Sequence, residues 1–242
     1  MGLFDKIFGS KPANPSDNIP GNAADKRLSA VYSAYQQTGK PTEYLMNLGV
    51  EIVNRISKMN LDDVAARIPK TDVDYISIYP GEHYKLLAAI MDILQPKTVV
   101  ELGTHLGYSS LCMKKYLPQN GTIYTFDVIP WNGFPETILK ETDFDGRLVQ
   151  YLDDTTTETG FNKHRSLFEN ADVIFMDALK DGVQEYKFLE HFATVNFKNK
   201  CLFVFDDIRL WNMLDIWFHM NRPKLDLTSF GHWSGTGLVE WN

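Results

Sequence analysis

The chain has little cysteine, no long apolar run and no cluster of basic residues. Its two cysteines, Cys112 and Cys201, lie in apolar surroundings without metal-ligand spacing, which indicates buried thiols of a reducing compartment. No apolar run reaches transmembrane length, and no signal peptide is recognisable. The formal net charge is −7 and no Lys/Arg stripe is visible, so neither nucleic acid nor a membrane is an expected partner. We predict a cytoplasmic protein.

The 242 residues suffice for one substantial domain with an appendage, and a hydrophobic content of 44% is typical of a globular core. Residues 1–22 mix a short amphipathic piece with Pro, Gly, Asn and Ser, which predicts a flexible tail; a small docking helix is the alternative. Residues 23–79 are predicted to form an N-terminal helical cap, because apolar residues such as Leu45, Leu48 and Ile52 recur at helical spacing. Residues 80–242 would form the main domain.

Strands and helices alternate in the main domain. The predicted strands are Thr98–Leu102, Thr122–Phe126, Leu148–Leu152, Val173–Met176 and Leu202–Phe205, with a last pair near Leu225–Phe230 and Gly237–Trp241. The predicted helices are His83–Leu94, Ser109–Tyr116, Pro135–Glu141, Gly182–Phe192 and Leu210–Met220. This alternation predicts an α/β fold with a Rossmann-like doubly wound sheet, mostly parallel, with an antiparallel C-terminal edge hairpin.

Residues 99–110 are the most informative stretch of the chain. An apolar run ends in Glu101, and Gly103 and Gly107 follow before a helix start. This order predicts a buried parallel strand, a tight turn and a helix N-terminus, where glycines let a nucleotide-like ligand approach the backbone. Asp127 ends the next strand, about 20 residues past the loop, where a carboxylate suits ribose hydroxyls. We therefore predict a nucleoside-containing cofactor, the alternative being an ordinary strand–loop–helix turn.

The glycine spacing indicates which cofactor this loop suits. A dinucleotide-binding loop usually has a third glycine, so that the helix N-terminus faces a pyrophosphate. This loop has Gly103 and Gly107 only, and the preceding carboxylate of Glu101 would repel a pyrophosphate but accept a hydrogen bond from an ammonium group. S-adenosylmethionine carries an ammonium group, a carboxylate and a ribose without phosphate, and it is the predicted cofactor.

Carboxylates also follow two later strands. Asp177 follows the fourth predicted strand, with Lys180 three residues on, and Asp206 and Asp207 follow the fifth. If the strands are neighbours, their ends lie about 5 Å apart, and the three acids could converge on one hard cation such as Mg²⁺. The alternatives are a helix cap near Ile208, a solvated lysine, and an Asp177 that contacts the cofactor without a metal.

Together these segments resemble the class I S-adenosylmethionine-dependent methyltransferases, and more narrowly the cation-dependent O-methyltransferases of the catechol and caffeoyl-CoA type. The resemblance spans roughly Pro80 to Asn242 and rests on Glu101–Ser109, Asp127, Phe175–Asp181 and Phe205–Asp207. Two departures are visible. Ala178-Leu179 replaces a bulkier pair beside the substrate. The Asp206-Asp207 pair, where the group usually has Asp-Asn, is similar to the metal-dependent sugar O-methyltransferases of antibiotic tailoring pathways, which are not expected to use a lysine at the position of Lys180.

The resemblance implies methyl transfer from S-adenosylmethionine to a hydroxyl of a small molecule, either a sugar or a phenol. The implied cofactor-binding residues are Glu101, Gly103, Thr104, Gly107, Ser109, Asp127, Asp154 and Thr155. Asp177, Asp206 and Asp207 would hold Mg²⁺, and Asp177 and Lys180 would be catalytic, with Lys180 assisting deprotonation if the site lowers its pKa.

Other interpretations stay open. A cation-free enzyme could use a histidine base, for which His105, His219 and His232 are the candidates. A nicotinamide-dependent oxidoreductase is disfavoured by the missing third glycine and by the absence of a Tyr-x-x-x-Lys pair. A module that binds a nucleoside without catalysis is a further alternative, and the N-terminal helical segment could form a homodimer.

Tryptophans lie close together in sequence near the predicted substrate side, at Trp211, Trp217 and Trp233. Core packing is expected for most of them, and one could wall a pocket.

Overall fold

The computed structural model describes residues 39–77 and 82–242. The predicted tail and the first part of the predicted helical cap lie outside the described residues. Within the described ranges, no helix combines the length and the apolar character that crossing a membrane requires.

Helices come first in the described part of the chain, and strands and helices alternate from residue 82 on. The helices are α1 (Glu43–Ile56), α2 (Asp62–Ala65), α3 (His83–Leu94), α4 (Tyr108–Tyr116), α5 (Glu158–Lys163), α6 (Arg165–Glu169), α7 (Gln184–Phe192) and α8 (Met213–His219). The strands are β1 (Thr98–Leu102), β2 (Thr122–Phe126), β3 (Leu148–Tyr151), β4 (Val173–Met176), β5 (Leu202–Asp206), β6 (Lys224–Asp226) and β7 (Thr236–Glu240). Short 3₁₀ turns lie at Trp131–Gly133 and Glu141–Asp143.

The described strands form one seven-stranded sheet in the order β3-β2-β1-β4-β5-β7-β6. β1 to β5 pair in parallel, and β7 pairs antiparallel with both β5 and β6. The predicted doubly wound sheet with an antiparallel edge hairpin is confirmed. The strand order reverses between β1 and β4, and sheets of this kind bind ligands outside the carboxyl ends of the strands at such a switch point.

Apolar layers cover both faces of the sheet, so neighbouring residues of one strand lie in different layers. Val99 packs with α1, α3 and α4, whereas Val100 packs with α7 and α8 on the other face. This double burial explains why the parallel strands read as continuous apolar runs. The described part of the predicted helical cap shares the first layer, because Leu45 and Ile52 of α1 are fully buried in it. The division of the chain into a cap and a main domain remains a prediction.

The helix predicted at Pro135–Glu141 is wrong. Residues 137–140 have no regular secondary structure, and this segment bonds to the glycine loop. The Ile138 N–H donates to the carbonyl of Leu106 at 3.1 Å, and the side chain of Leu139 fills the space beside Gly107. Two short helices that the sequence analysis did not predict, α5 and α6, follow β3 instead.

Strand β3 ends one residue before its predicted end, and three other predicted elements are shorter by two residues or more. Helix α7 begins two residues late because Asp181 accepts the N–H groups of Val183 and Gln184, at 2.7 and 2.9 Å, and so forms a turn before the helix. Helix α8 begins after Trp211, which has a left-handed φ of 44°. Strand β6 ends at Asp226, whose side chain accepts the Thr228 N–H at 2.8 Å and closes a turn.

Candidate active site

The glycine loop joins the end of β1 to the start of α4. Gly103 has a φ of 101°, and a Cβ at this position would lie 2.0 Å from the carbonyl oxygen of Asp177. Gly107 has a φ of 84°, and a Cβ there would lie 2.2 Å from Leu139. Glycine is therefore required by close protein contacts as well as by the backbone conformation. The first contact joins the loop to the segment that follows β4.

Glu101, at the carboxyl end of β1, lies fully buried beneath this loop. The hydroxyl groups of Ser109 and Ser110 each donate to one of its carboxyl oxygens. Burial nevertheless dominates and raises the pKa of Glu101 to about 7. The carboxyl group thus organises the first turn of α4 and titrates near neutral pH.

Asp127, at the end of β2, binds the backbone of the same loop. Its Oδ2 accepts the N–H groups of Thr104 and His105, each at 3.0 Å, and its Oδ1 accepts the Ile129 N–H at 3.0 Å. The hydroxyl of Thr104 also contacts that of Thr125 at 2.7 Å. The predicted ribose-binding carboxylate is therefore held in a fixed orientation beside the glycine loop.

Asp154 and Thr155 follow β3 at the same edge of the sheet. Asp154 is exposed, and its Oδ1 accepts the N–H and hydroxyl of Thr156 at 2.9 and 2.6 Å. Thr155 is buried. Both residues lie on the β2–β3 side of β1, whereas the residues predicted to bind a metal lie on the other side, at β4 and β5.

The acids after β4 and β5 converge on one ammonium group. The Nζ atom of Lys180 contacts Asp177, lies 3.0 Å from Asp207 Oδ2 and lies 3.9 Å from Asp206 Oδ2. The Lys180 side chain is only 15% exposed, so the interpretation of a solvated lysine is wrong. The helix-cap interpretation of Asp206 and Asp207 is wrong as well, because α8 begins only at Met213.

Histidines and hydroxyl groups face the other carboxyl oxygens of the pair. His232 Nδ1 lies 3.4 Å from Asp207 Oδ1, and the Ser234 hydroxyl contacts both groups. His83 Nδ1 lies 3.7 Å from Asp206 Oδ1 and contacts a threonine hydroxyl of β7 at 2.9 Å. Asp206, Asp207 and His232 each offer a ligand atom within 4.8 Å of the other two.

The charges in this cluster shift one another's pKa values. Burial disfavours the Lys180 ammonium, but the surrounding carboxylates outweigh burial and raise its pKa. Burial and the neighbouring carboxylates raise the pKa of Asp206. Burial also opposes the charge of Asp207, yet hydrogen bonds and positive charge from its neighbours hold its pKa below the usual range. Burial lowers the pKa of His83 to about 3, so its imidazole is neutral. The lowered pKa that a lysine base requires is not found at Lys180.

The structure separates the candidate histidine bases. His105 is exposed and packs edge-on against Phe134, and His219 bonds to Asp215 on its own helix. Only His232 of the three candidates lies in the acid cluster. His83, which enters from the first turn of α3, is not among the site residues predicted from the sequence, and no local pattern signals its role.

The tryptophan prediction is wrong for most of the set. Trp217 is 1% exposed and belongs to the core, but Trp211 is 71% and Trp233 is 58% exposed. Trp211 follows β5 in the chain, and Trp233 lies between His232 and Ser234 of the acid cluster. Together with Leu179, which follows Asp177 closely and is also exposed, they place apolar surface in the loops that carry the cluster.

A doubly wound sheet with a glycine loop and an acid cluster at its carboxyl edge is typical of α/β enzymes that bind a ligand at the switch point. A family model described as "O-methyltransferase" matches residues 59–215. The chain belongs to this O-methyltransferase family, and it is a methyltransferase. The predicted resemblance is confirmed, and the interpretation as a nicotinamide-dependent oxidoreductase is wrong.

Similar proteins are found among curated sequences and among solved structures. A catechol O-methyltransferase of Niastella koreensis is 38% identical over 55 residues, which are 23% of this chain and 24% of that protein, so the match spans about a quarter of the relative. A methyltransferase of Podospora anserina, solved with S-adenosylhomocysteine bound, aligns over 93% of this chain and 98% of its own with a TM-score of 0.50 and 17% identity. The O-methyltransferase TomG of Streptomyces achromogenes, solved with S-adenosylmethionine, aligns over 90% of this chain and 99% of its own, with a TM-score of 0.48 and 18% identity. These structural likenesses concern the fold.

Proposed function

We propose that the chain transfers a methyl group from S-adenosylmethionine to a hydroxyl group of a small molecule, with a divalent cation at the acid cluster. The observation that carries the proposal is the contact between Gly103 and the carbonyl oxygen of Asp177. It joins the loop that would hold the methyl donor to the cluster that would hold the acceptor. Methyl transfer is an in-line displacement, so this proximity and orientation are what the reaction requires.

The cofactor side of the site would use Glu101, Gly103, Thr104, Gly107, Ser109 and Asp127, with Asp154 and Thr155 toward the adenine. Glu101 would accept a hydrogen bond from the ammonium group of the cofactor. Because the pKa of Glu101 is about 7, the positive charge of this ammonium group would stabilise the carboxylate form. Asp127 keeps carboxylate lone pairs beyond its three backbone hydrogen bonds, and these suit ribose hydroxyls.

The cation side of the site would use Asp206 and Asp207. The donor set fits a divalent cation, because Asp206 Oδ1 is a buried carboxyl oxygen without a hydrogen-bond partner in the described part of the chain. A divalent cation bound there would lower the pKa of an acceptor hydroxyl and orient it. Its third ligand would be either Asp177, as predicted from the sequence, or His232.

Lys180 would act as a cation rather than as a base. Its raised pKa keeps the ammonium protonated at neutral pH, and its contacts with Asp177 and Asp207 hold it beside the acceptor. A fixed positive charge at this place would stabilise the negative charge that develops on the acceptor oxygen. Asp177 would position Lys180 through their ion pair.

The acceptor is proposed to be a small sugar or phenol with two neighbouring oxygens. Two such oxygens would bind beside the carboxylate pair, and the exposed side chains of Leu179, Trp211 and Trp233 would cover the ring.

We also propose, from the N-terminal helical segment, that the chain forms a homodimer, which light scattering at several concentrations tests.

Titration of S-adenosylhomocysteine into the protein, with Mg²⁺ and then with EDTA, tests the cofactor site. We expect binding that survives EDTA, and absence of binding under both conditions would contradict the proposal. Methyl transfer to a panel of vicinal diols and catechols should then require a divalent cation and should be lost in Asp177→Ala, which keeps cofactor binding. Exposed Glu190→Gln on α7 is the matched control and should behave like the wild type.

A further inference from the structure

The second half of the glycine loop packs against residues 137–143, which we call the strap. The Ile138 N–H donates to the carbonyl of Leu106 at 3.1 Å. A Cβ added to Gly107 would lie 2.2, 2.5 and 2.8 Å from three atoms of the Leu139 side chain, so this side chain lies directly on the Gly107 backbone. Leu139 is buried in this position. The strap therefore holds the last two residues of the loop before α4 begins.

An ion pair fastens the strap to the N-terminal part of the chain. Arg67, which follows α2, donates from Nη1 to Asp143 Oδ2 at 2.7 Å, and the same nitrogen lies 3.4 Å from the carbonyl oxygen of Ile138. Asp143 is 7% exposed, and its Oδ2 also accepts the Lys140 N–H at 2.8 Å. The guanidinium group thus contacts the middle and the end of the strap. Loss of this partner would leave a buried carboxylate without its cation, which is costly.

The glycine loop has two supports, which come from different parts of the chain. Asp127 holds the first half through the N–H groups of Thr104 and His105, and the strap holds the second half. A loop that is already fixed in its binding conformation binds a ligand more tightly, because the ligand then does not have to order it. The strap is therefore placed to affect the affinity of this loop for a ligand.

We propose that Arg67 and Asp143 are positioning residues of the methyl-donor site. Their ion pair keeps the strap against the glycine loop and so keeps the loop in the conformation that binds S-adenosylmethionine. The inference deepens the proposed function and rests on it for the identity of the ligand. Arg67 acts through the strap, and no contact between its guanidinium group and the cofactor is part of the proposal.

Calorimetric titration of S-adenosylhomocysteine into Arg67→Met and Arg55→Met tests this role. Arg55 is the matched control, because it pairs with Asp92 of α3 and so also joins the N-terminal part to the main domain, and both arginine side chains are 31% exposed. Arg67→Met should weaken binding at least about tenfold, and Arg55→Met less than about twofold. Arg67→Lys, which keeps a cation for Asp143, should recover part of the loss. Equal affinities of the two Met variants would overturn the proposal.

A double variant tests whether the two residues act as one unit. Once Arg67→Met has broken the pair, adding Asp143→Asn should weaken binding by less than about a further twofold. Each single variant should therefore lose about as much affinity as the double variant. Losses that multiply would show that Asp143 acts independently of Arg67 and would overturn the proposal. Thermal melts identify the temperature at which all variants are folded.

Hydrogen exchange of the wild type gives a test that does not depend on a variant folding. S-adenosylhomocysteine should slow exchange at the amides of Ile138 and Lys140, because a ligand that holds the loop also holds the strap that packs on it. Unchanged exchange in the strap with the ligand bound would overturn this inference and leave the proposed function standing. Failure of the wild type to bind S-adenosylhomocysteine would contradict the proposed function, and this inference with it.

Discussion

The buried carboxyl group of Glu101 makes the stability of this protein depend on pH in a way that one substitution isolates. Burial raises its pKa from an ordinary 4.5 to about 7 in the folded protein. Between these values the folded state keeps a proton that the unfolded state releases, so the free energy of unfolding falls as pH rises. The rise in pKa corresponds to a loss of about 3 kcal/mol, at about 1.4 kcal/mol per pKa unit.

Glu101→Gln keeps the shape of the protonated side chain and removes its titration. As pH rises from about 4.5 to about 7, we expect the free energy of unfolding of the wild type to fall by about 3 kcal/mol relative to that of this variant. Above this range the difference between the two proteins should stay constant. Urea denaturation of both proteins at closely spaced pH values measures the difference, and titrations that they share cancel. Parallel stability profiles for the two proteins would refute a pKa near 7.

The same titration predicts how the cofactor binds. If the ammonium group of the cofactor contacts Glu101, it stabilises the carboxylate, so the affinity for S-adenosylhomocysteine should increase as pH rises toward 7 and level off above the folded-state pKa of about 7. Calorimetric titration at several pH values measures this trend. The Glu101→Gln variant should bind more weakly and without this dependence, and an identical pH profile would show that Glu101 does not meet the ammonium group.

Further substitutions test the geometry of the site and of the core. Gly103→Ala should cost about 3 kcal/mol or more, because its Cβ would meet a carbonyl oxygen at 2.0 Å, whereas Gly146→Ala, with a similar φ and open space, should cost about 1 kcal/mol; urea denaturation compares them. Trp217→Ala should cost about 3–5 kcal/mol and Trp211→Ala less than about 0.5 kcal/mol, since only the first is buried; equal thermal shifts would contradict this. Lys180→Met should destabilise the EDTA-treated protein by about 3 kcal/mol, and added Mn²⁺ should restore much of this in a thermal melt.

The local pattern of apolar residues in the sequence was sufficient to predict the bounds of three central strands. Strands β1, β2 and β4 have the predicted bounds, because strands buried on both faces are mostly apolar and stand out in the sequence. Helix α3 also has its predicted bounds. Local pattern failed at residues 135–141, where the backbone bonds to the glycine loop, and such a contact leaves no periodic trace in the sequence.

What the sequence determined by itself is the order of the strands in the chain, the glycine loop, and the acids at the carboxyl ends of β1, β2, β4 and β5. A parallel sheet brings the residues after such strands to one edge, so their proximity follows from chain order and alternation. Only the tertiary structure decided which groups meet there. His83 and His232 are distant in sequence. Helix α3 places His83 beside Asp206, and the loop that precedes β7 places His232 beside Asp207. The tertiary structure also decided the charge of Lys180, because the pKa of a group depends on its burial and on the charges around it, and these exist only after folding.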